Sequence, residues 1–214
     1  MTVTFNWELL DELVATDISR FAEVDIPELH HPQAEHWPSN YFLNSAARTA
    51  FTTPAREYAF TFIRRVTAAF DEYKLADEAT RHFVERRAAG EQPIRTYWSA
   101  LHHWEQCVAL AWQAIEVWRK VTGLKAFDAG DGSAEERLNL TYNRSKHTDN
   151  AIAAAQMPSI GPLAMWLANE GLRTTECLLK WSELHDVLSE LGEAADLFAD
   201  PEQFRSPATS TVPP

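Results

Sequence analysis

The chain has 214 residues, of which 45% are hydrophobic and 11% aromatic. This composition excludes an intrinsically disordered protein and predicts one folded domain with a substantial core. No apolar run approaches the ~18 residues that a membrane-spanning helix requires, so we expect a soluble protein with no membrane partner. The net charge of −12 is concentrated at the ends, because residues 1–37 carry eight acids and one base, residues 181–214 seven acids and one base, and residues 38–180 seventeen bases and sixteen acids. A nucleic acid that contacts the middle interval is therefore not excluded, although no basic stripe is visible.

Targeting, redox and cofactor signals are sparse. The first residues carry neither the basic nor the apolar region of a secretory signal. With Cys107 and Cys177 as the only cysteines, a disulfide framework is not expected, and a reducing cytoplasm is the simplest location. Neither a phosphate-binding loop nor a dinucleotide fingerprint occurs, so we expect no cofactor.

The first elements are predicted to be a helix, a loop and a second helical region. Asn6 is placed to cap a helix over about 7–22, whose apolar residues recur at helical spacing. The interval 26–39, rich in proline and histidine, is predicted to be a loop. Helical periodicity resumes near Tyr41.

Two more helices are predicted before residue 90. Thr53 followed by Pro54 supplies a cap and a first-turn proline. The apolar residues beyond this pair support a helix to about residue 74. Asp77 is then placed to open another helix, which Gly90 would end.

The longest predicted helix runs from Pro93 to about Val121 and is closed by Gly123. Its apolar residues keep to three- and four-residue steps along the whole helix. They are Ile94, Tyr97, Trp98, Leu101, Trp104, Val108, Ala111, Trp112, Ile115 and Trp118. Burying one large apolar side chain is worth roughly 1.5–3 kcal/mol, so we expect this helix to be the spine of a bundle.

A capped polar helix follows. Ser133 and Glu136 have the spacing of a capping box, and the helix should continue until residues 157–162 break it. The interval 163–179 could be part of one long helix or a β-hairpin, and we prefer the hairpin because its threonines and cysteine favour extended backbone. Ser182 is placed to cap a last amphipathic helix.

These elements predict a mainly α-helical bundle of six or seven helices, with a small β-hairpin near 163–179. We expect a single domain over residues 1–205. Residues 206–214, rich in Ser, Thr and Pro, are predicted to be a disordered tail.

The residues with the most chemical potential lie on the polar helix. Asn143 and Arg144 share a helical face with His147, because residues three and four apart are neighbours. His147 could act as general acid or base, and Arg144 could stabilise a pentavalent phosphate. RNA would suit this pair, since its 2′-hydroxyl is an internal nucleophile whose attack needs no metal. A homodimer would supply two copies of His147, one as acid and one as base.

A long helix, a loop and a helix carrying Arg and His resemble the arrangement in HEPN-like proteins. These are small helical bundles of prokaryotic toxin and phage-defence systems, and many are metal-independent ribonucleases. The resemblance covers roughly residues 93–156. The family's motif spaces Arg and His more widely than the two residues between Arg144 and His147, and more closely than the nine between Arg137 and His147.

The resemblance implies a metal-independent endoribonuclease of toxin or defence type. Arg144 and His147 would be its catalytic residues. Asn143, Lys146 and Arg137 would bind the RNA substrate.

Other interpretations remain open. Asn143, Arg144 and His147 could instead form a satisfied polar network, which would indicate a non-catalytic helical binding or assembly module. A metal site is not expected, because the only Glu-x-x-His spacing, Glu28 to His31, lies in a predicted loop and has no second copy. The acidic face of the last helix is most simply a solvated surface, although a basic protein partner could bind it.

Overall fold

The computed structural model describes residues 5–202. Within that range it contains seven α-helices and one three-stranded antiparallel sheet. The helices are α1 (Trp7–Leu13), α2 (Trp37–Asn40), α3 (Ala55–Ala88), α4 (Ile94–Thr122), α5 (Ala134–Lys146), α6 (Thr148–Ala153) and α7 (Trp181–Ala199), and the strands are β1 (Met165–Ala168), β2 (Gly171–Thr174) and β3 (Leu178–Lys180). The predicted mainly α-helical bundle with a small hairpin is confirmed. The tail predicted at 206–214 lies outside the described residues.

The centre of the fold is an antiparallel pair formed by α3 and α4, which pack along their lengths. As predicted, α4 ends where Gly123 takes the left-handed conformation, with φ of 73°. Its apolar stripe faces the core, except for Trp98, which is 53% exposed. Tyr73 of α3 meets Trp104 of α4 edge to face, with ring centroids 5.1 Å apart. The predicted spine of the bundle is therefore present.

The helix α3 is one continuous helix of 34 residues, where the sequence predicted two. It is also longer than α4, which has 29 residues and was expected to be the longest. No break occurs near Asp77 because the buried residues Tyr73 and Ala76 continue one stripe through this region. The Asp77 carboxylate, instead of capping a helix, lies 2.7 Å from Arg81 one turn further on. Such a pair on one helix face stabilises the helix.

The helix α1 has the predicted cap but ends well short of the predicted end. Asn6 Oδ1 accepts a backbone N–H of the first turn at 3.2 Å, and the helix ends at Leu13. Further on, Asp17 has a φ of 59°, which an α-helix does not allow. Arg87 of α3 holds this segment, because its guanidinium donates to backbone carbonyls within residues 18–21.

The interval predicted as a loop at 26–39 contains more helix than expected. A 3-10 turn spans Ala34–His36, α2 follows, and a π-helical turn spans Tyr41–Ala46. Trp37 is fully buried, and its Nε1 donates to the Asp196 carboxylate at 2.6 Å. Tertiary packing therefore overrides the local loop signals here.

The helix α5 begins as predicted but ends sooner. Ser133 Oγ accepts from the backbone N–H of Glu136 at 3.2 Å. The Glu136 carboxylate does not complete a capping box; it accepts from the backbone N–H groups of Gly130 and Gly132 in the preceding loop. The helix breaks at His147, where φ is −113° and ψ is 39°. His147 therefore stands between α5 and α6.

The preferred hairpin is confirmed, and a third strand, which the sequence did not suggest, extends it. Leu167 of β1 pairs with Leu172 of β2, which pairs in turn with Leu179 of β3. All three leucines are buried. Gly171 allows this close approach, since a Cβ there would lie 2.1 Å from the carbonyl oxygen of Leu179.

The start of α7 differs from the prediction. Ser182 lies inside the helix and is not its cap. The Glu183 carboxylate instead accepts from the backbone N–H of Lys180 at 3.1 Å. Trp181, the first helical residue, is buried and donates from Nε1 to the Asn169 carbonyl at 2.9 Å. This bond ties the helix start to the hairpin turn.

One continuous hydrophobic core joins the helices to the sheet. Its largest fully buried side chains include Trp37, Trp104 and Trp181. Over residues 5–202, no helix has both the length and the apolarity that crossing a membrane requires.

Candidate functional site

The end of α5 brings several predicted site residues together around a cavity of about 230 Å³. The cavity is lined by Asn143, Arg144, His147, Asn150, Ala151, Gln156 and Glu176. These residues come from α5, from the junction of α5 and α6, from α6 and the residues after it, and from the turn between β2 and β3. Of the predicted site, Asn143, Arg144 and His147 thus meet in space. Lys146 and Arg137 do not line the cavity.

Arg144 is held by the protein itself. Its side chain is only 8% exposed. Nη2 donates to the carboxylate of Glu176, and Nη1 donates to Gln156 Oε1 at 3.3 Å. The pair joins α5 to the β2–β3 turn and neutralises the guanidinium charge. Arg144 therefore has a structural role in this arrangement.

His147 has the opposite environment. It is exposed, and its ring makes no hydrogen bond to any residue in the described range 5–202. Only its backbone is engaged, because its N–H donates to the Asn143 carbonyl at 3.0 Å and its carbonyl accepts from Ala151 at 3.1 Å. The imidazole is therefore accessible to a molecule from solution.

Asn143 and Lys146 lie on the exposed side of α5. Asn143 Nδ2 donates to Asn139 Oδ1 at 3.1 Å, one turn earlier. The Lys146 ammonium lies 5.2 Å from the centre of the Tyr142 ring, which is within the range of a cation–π contact. Both side chains therefore have partners within α5 itself.

Arg137 lies away from the cavity and joins two helices. Its Nε and Nη2 donate to the two carboxylate oxygens of Glu183 in α7, at 3.0 and 2.7 Å. A further bond goes to the carbonyl of Gly132. The bond to Glu183 raises the pKa of Arg137. Arg137 does not line the cavity, so it would not contact a substrate bound there.

A second polar contact fixes α5 against α4. Ser145 Oγ donates to Glu105 Oε1 at 3.2 Å. Burial raises the pKa of Glu105, although the bond from Ser145 and the nearby His102 both act in the other direction. The face of α5 that bears Ser145 is thus a packed interface.

Some histidines pair with a single carboxylate each. His31 lies 3.5 Å from Asp196, and His103 lies 2.8 Å from Glu72. In the part of the chain that the structure describes, no group of three or more His, Cys, Asp or Glu side chains is arranged to hold a metal ion.

A second concave surface, which was not predicted from the sequence, lies on α3. A groove of about 750 Å³ separates the π-helical turn from α3. We define the α3 groove by its lining residues, which are Pro38, Tyr41, Phe42, Ala46, Arg56, Glu57, Phe60, Thr61, Ile63, Arg64, Thr67, Ala68 and Asp71. Its rim exposes two aromatic side chains, Phe42 at 65% and Phe60 at 56%.

A sequence signal for this groove exists in α3. Phe62, Ile63, Val66 and Phe70 keep to one helical stripe, and all four are buried. Phe60 lies off that stripe, so an aromatic residue there is in excess of what one buried face needs. Such an excess can mark a second, exposed apolar surface.

Similarity to other proteins assigns no role to either surface. Comparisons of the chain with protein-family models, with curated proteins and with solved structures found no match. The relationship to HEPN-like proteins therefore stays a prediction.

Proposed function

We propose that this protein is a non-catalytic helical binding or assembly module. The observation that carries the proposal is the internal pairing of Arg144 with Glu176 and Gln156. An arginine that stabilises a phosphate must direct its donors and its charge at the substrate. Here a carboxylate already takes that place, and it would repel an approaching phosphate.

A second candidate is a metal-independent endoribonuclease of prokaryotic toxin or defence type. The exposed, unbonded ring of His147 supports it, since a general acid or base must reach the proton that it transfers. In this reaction His147 would remove the proton from the 2′-hydroxyl, and Arg144 would leave Glu176 to bind the phosphate. A homodimer would place a second His147 to protonate the leaving oxygen.

Cleavage of RNA in EDTA separates the two candidates. We would incubate wild type, His147→Ala and a matched control, His102→Ala, with labelled RNA. His102 is also exposed and lies on α4, away from the cavity. A binding module predicts no cleavage by any of the three proteins. Cleavage by wild type and His102→Ala, and its loss in a folded His147→Ala variant, would contradict the binding module and establish the ribonuclease.

Two further partners belong to the same proposal. A homodimer is one, and light scattering on the purified protein would detect it. A basic protein is the other, supported by the acidic side chains around Glu190 on α7. Burial raises the pKa of Glu190, and the neighbouring Glu135 and Glu193 raise it further, so a bound cation would relieve this repulsion. The two unpaired cysteines support a reducing cytoplasm as the location.

A further inference from the structure

The α3 groove combines an apolar floor with exposed aromatic rims. Tyr41, Ile63 and Ala68 contribute apolar surface to it, and Phe42 and Phe60 stand at its edges. Protein interfaces are enriched in aromatic residues at their centres, and exposed apolar patches of this kind mark binding surfaces.

The apolar surface extends beyond the groove. Leu43, next to Phe42 on the π-helical turn, is 59% exposed and does not line the α3 groove. A small molecule confined to the α3 groove would leave this surface in water. A larger partner that lies across the groove would cover it.

The shape of the groove fits an elongated partner. Its lining residues on α3 extend from Arg56 to Asp71, along one face of the helix. At 1.5 Å per residue this face is about 22 Å long. A helix of about 15 residues would cover it.

Two charges in the groove have no partner within the chain as described. Arg56 lies 3.1 Å from Glu57 and is paired with it. The side chains of Arg64 and Asp71, in contrast, form no ion pair or hydrogen bond with any residue of the range 5–202. They are seven residues apart on α3, which is two helical turns or about 10 Å.

We propose that the α3 groove binds an amphipathic helix of a protein partner, whose apolar face covers Phe42 and Phe60 and which carries an acid opposite Arg64 and a base opposite Asp71. The two partner charges would lie about seven residues apart on the partner helix, because the two helices have the same rise. Binding of an apolar helical face in a groove is a common mode of peptide recognition.

The charge of the groove argues against a nucleic acid. Its lining contains two bases, Arg56 and Arg64, and two acids, Glu57 and Asp71. The formal charge is therefore zero, whereas binding to a phosphate backbone depends on an excess of bases. A helix with both charges is complementary to this pattern.

This inference rests on the proposed binding function, and it is tested with a defined probe. A displayed library of peptides of about 18 residues would carry fixed Leu at helical spacing, with Ala, Gln, Glu and Lys varied elsewhere. The full-length wild-type protein would select binders. Enriched sequences would be synthesised and titrated by fluorescence anisotropy.

The expected binders carry an acid and a base seven residues apart. Phe60→Glu should weaken their binding by about tenfold or more, because the proposed partner helix covers this aromatic side chain. Leu75→Glu is the matched control, because Leu75 lies on α3, is 44% exposed and is outside the groove. It should leave the affinity unchanged.

Reversal of one charge gives the most specific test. Arg64→Glu should weaken a selected peptide by about threefold to tenfold. Changing the peptide's acid to Lys should then restore its binding. Lys74→Glu, an exposed change on the same helix, should have no such effect. Both Phe60 and Arg64 are exposed, so circular dichroism should show the folded state in both variants.

Several results would overturn the inference. They are a selection that enriches no peptide, enriched peptides without the paired charges, or binding that Phe60→Glu and Leu75→Glu affect equally. If these occur and RNA is still not cleaved, the binding function stands but the groove is not its surface. If RNA is cleaved by a His147-dependent reaction, the binding function fails, whatever the peptides do.

Discussion

Arg144 and Glu176 form an ion pair whose members differ in burial. The Arg144 side chain is 8% exposed and that of Glu176 is 44% exposed. Removal of the exposed partner strands a charge in the interior, whereas removal of the buried partner leaves a carboxylate that can turn into water. We therefore expect Glu176→Ala to destabilise the fold more than Arg144→Met does.

The expected magnitudes follow from the same contacts. Glu176→Ala leaves the guanidinium with only Gln156 at 3.3 Å. A hydrogen bond to a charged group contributes about 1.5–3 kcal/mol, and water screens a half-exposed pair, so we expect a loss of about 1–2 kcal/mol. Arg144→Met keeps an apolar side chain along the buried path of the arginine, and should cost less than about 1 kcal/mol.

Urea unfolding followed by tryptophan fluorescence would measure both changes. Thermal unfolding gives a second readout, in which a loss of 1–2 kcal/mol lowers Tm by about 2–8 °C for a chain of this size. Glu116→Ala is the matched control, since Glu116 is exposed on α4 and forms no ion pair with the residues described. Its free energy of unfolding and its Tm should equal those of the wild type.

Two outcomes would refute this reasoning. In the first, Arg144→Met destabilises the fold as much as Glu176→Ala does. In the second, both variants have the same free energy of unfolding as the wild type. The second result would mean that the pair does not hold α5 to the sheet. Arg144 would then be available to a ligand, as the ribonuclease candidate requires.

Three further predictions concern packing and charge elsewhere. Gly192→Ala adds a Cβ that would lie 3.0 Å from His31 Cδ2 among further aromatic rings, at a cost of about 1–3 kcal/mol; Ala regains about 1 kcal/mol of helix propensity inside α7, so we expect a net loss of up to about 2 kcal/mol in thermal unfolding. Burial raises the pKa of Glu105 in the folded state, so its ionisation destabilises the fold as pH rises above the ordinary range of a glutamate. Glu105→Gln should therefore increase the free energy of unfolding at pH 7 and change it little at pH 4. Equal effects at the two pH values would contradict this. Arg137→Met should lower stability by about 1–3 kcal/mol, because the largely buried Glu183 loses its two bonds from Arg137 and keeps only the bond from the Lys180 backbone; urea unfolding that matches wild type would show that the pair is dispensable.

The elements that the sequence predicted well are those whose signals are local. The cap at Ser133 is set by a residue three positions away, and the end of α4 is set by the conformation of Gly123 itself. The hairpin turn follows from short extended segments around residues 169–171. In each case the chain carries the cause within a few residues of the effect.

The errors arise where distant residues decide. Trp37 turns a predicted loop into helix because Asp196, far along the chain, accepts its indole N–H. Arg87 holds the chain after α1 in a non-helical path through carbonyls about 66–69 positions away. No local pattern reports such contacts, so propensity and periodicity cannot anticipate them.

The candidate site shows the same division. The sequence placed His147 beside Arg144 on one helix; in the structure both line one cavity, although α5 ends before His147. It could not show that Arg144 is paired, because Glu176 lies 32 positions later in a turn that belongs to a sheet only half anticipated. The choice between a structural and a catalytic arginine was therefore beyond the local sequence.

The stability of the fold explains the polar contacts of α5 but not the exposed aromatic residues of the α3 groove. Arg144 and Arg137 have partners inside the chain, so the stability of the fold accounts for their positions. Phe42 and Phe60 gain little by this route, because more than half of each side chain stays in water and apolar area stabilises only when it is buried, at about 25 cal/mol per Å². Polar residues at these two positions should leave the free energy of unfolding nearly unchanged. If Phe60→Glu retains wild-type stability and loses peptide binding, the aromatic groove is explained by a partner and not by the fold.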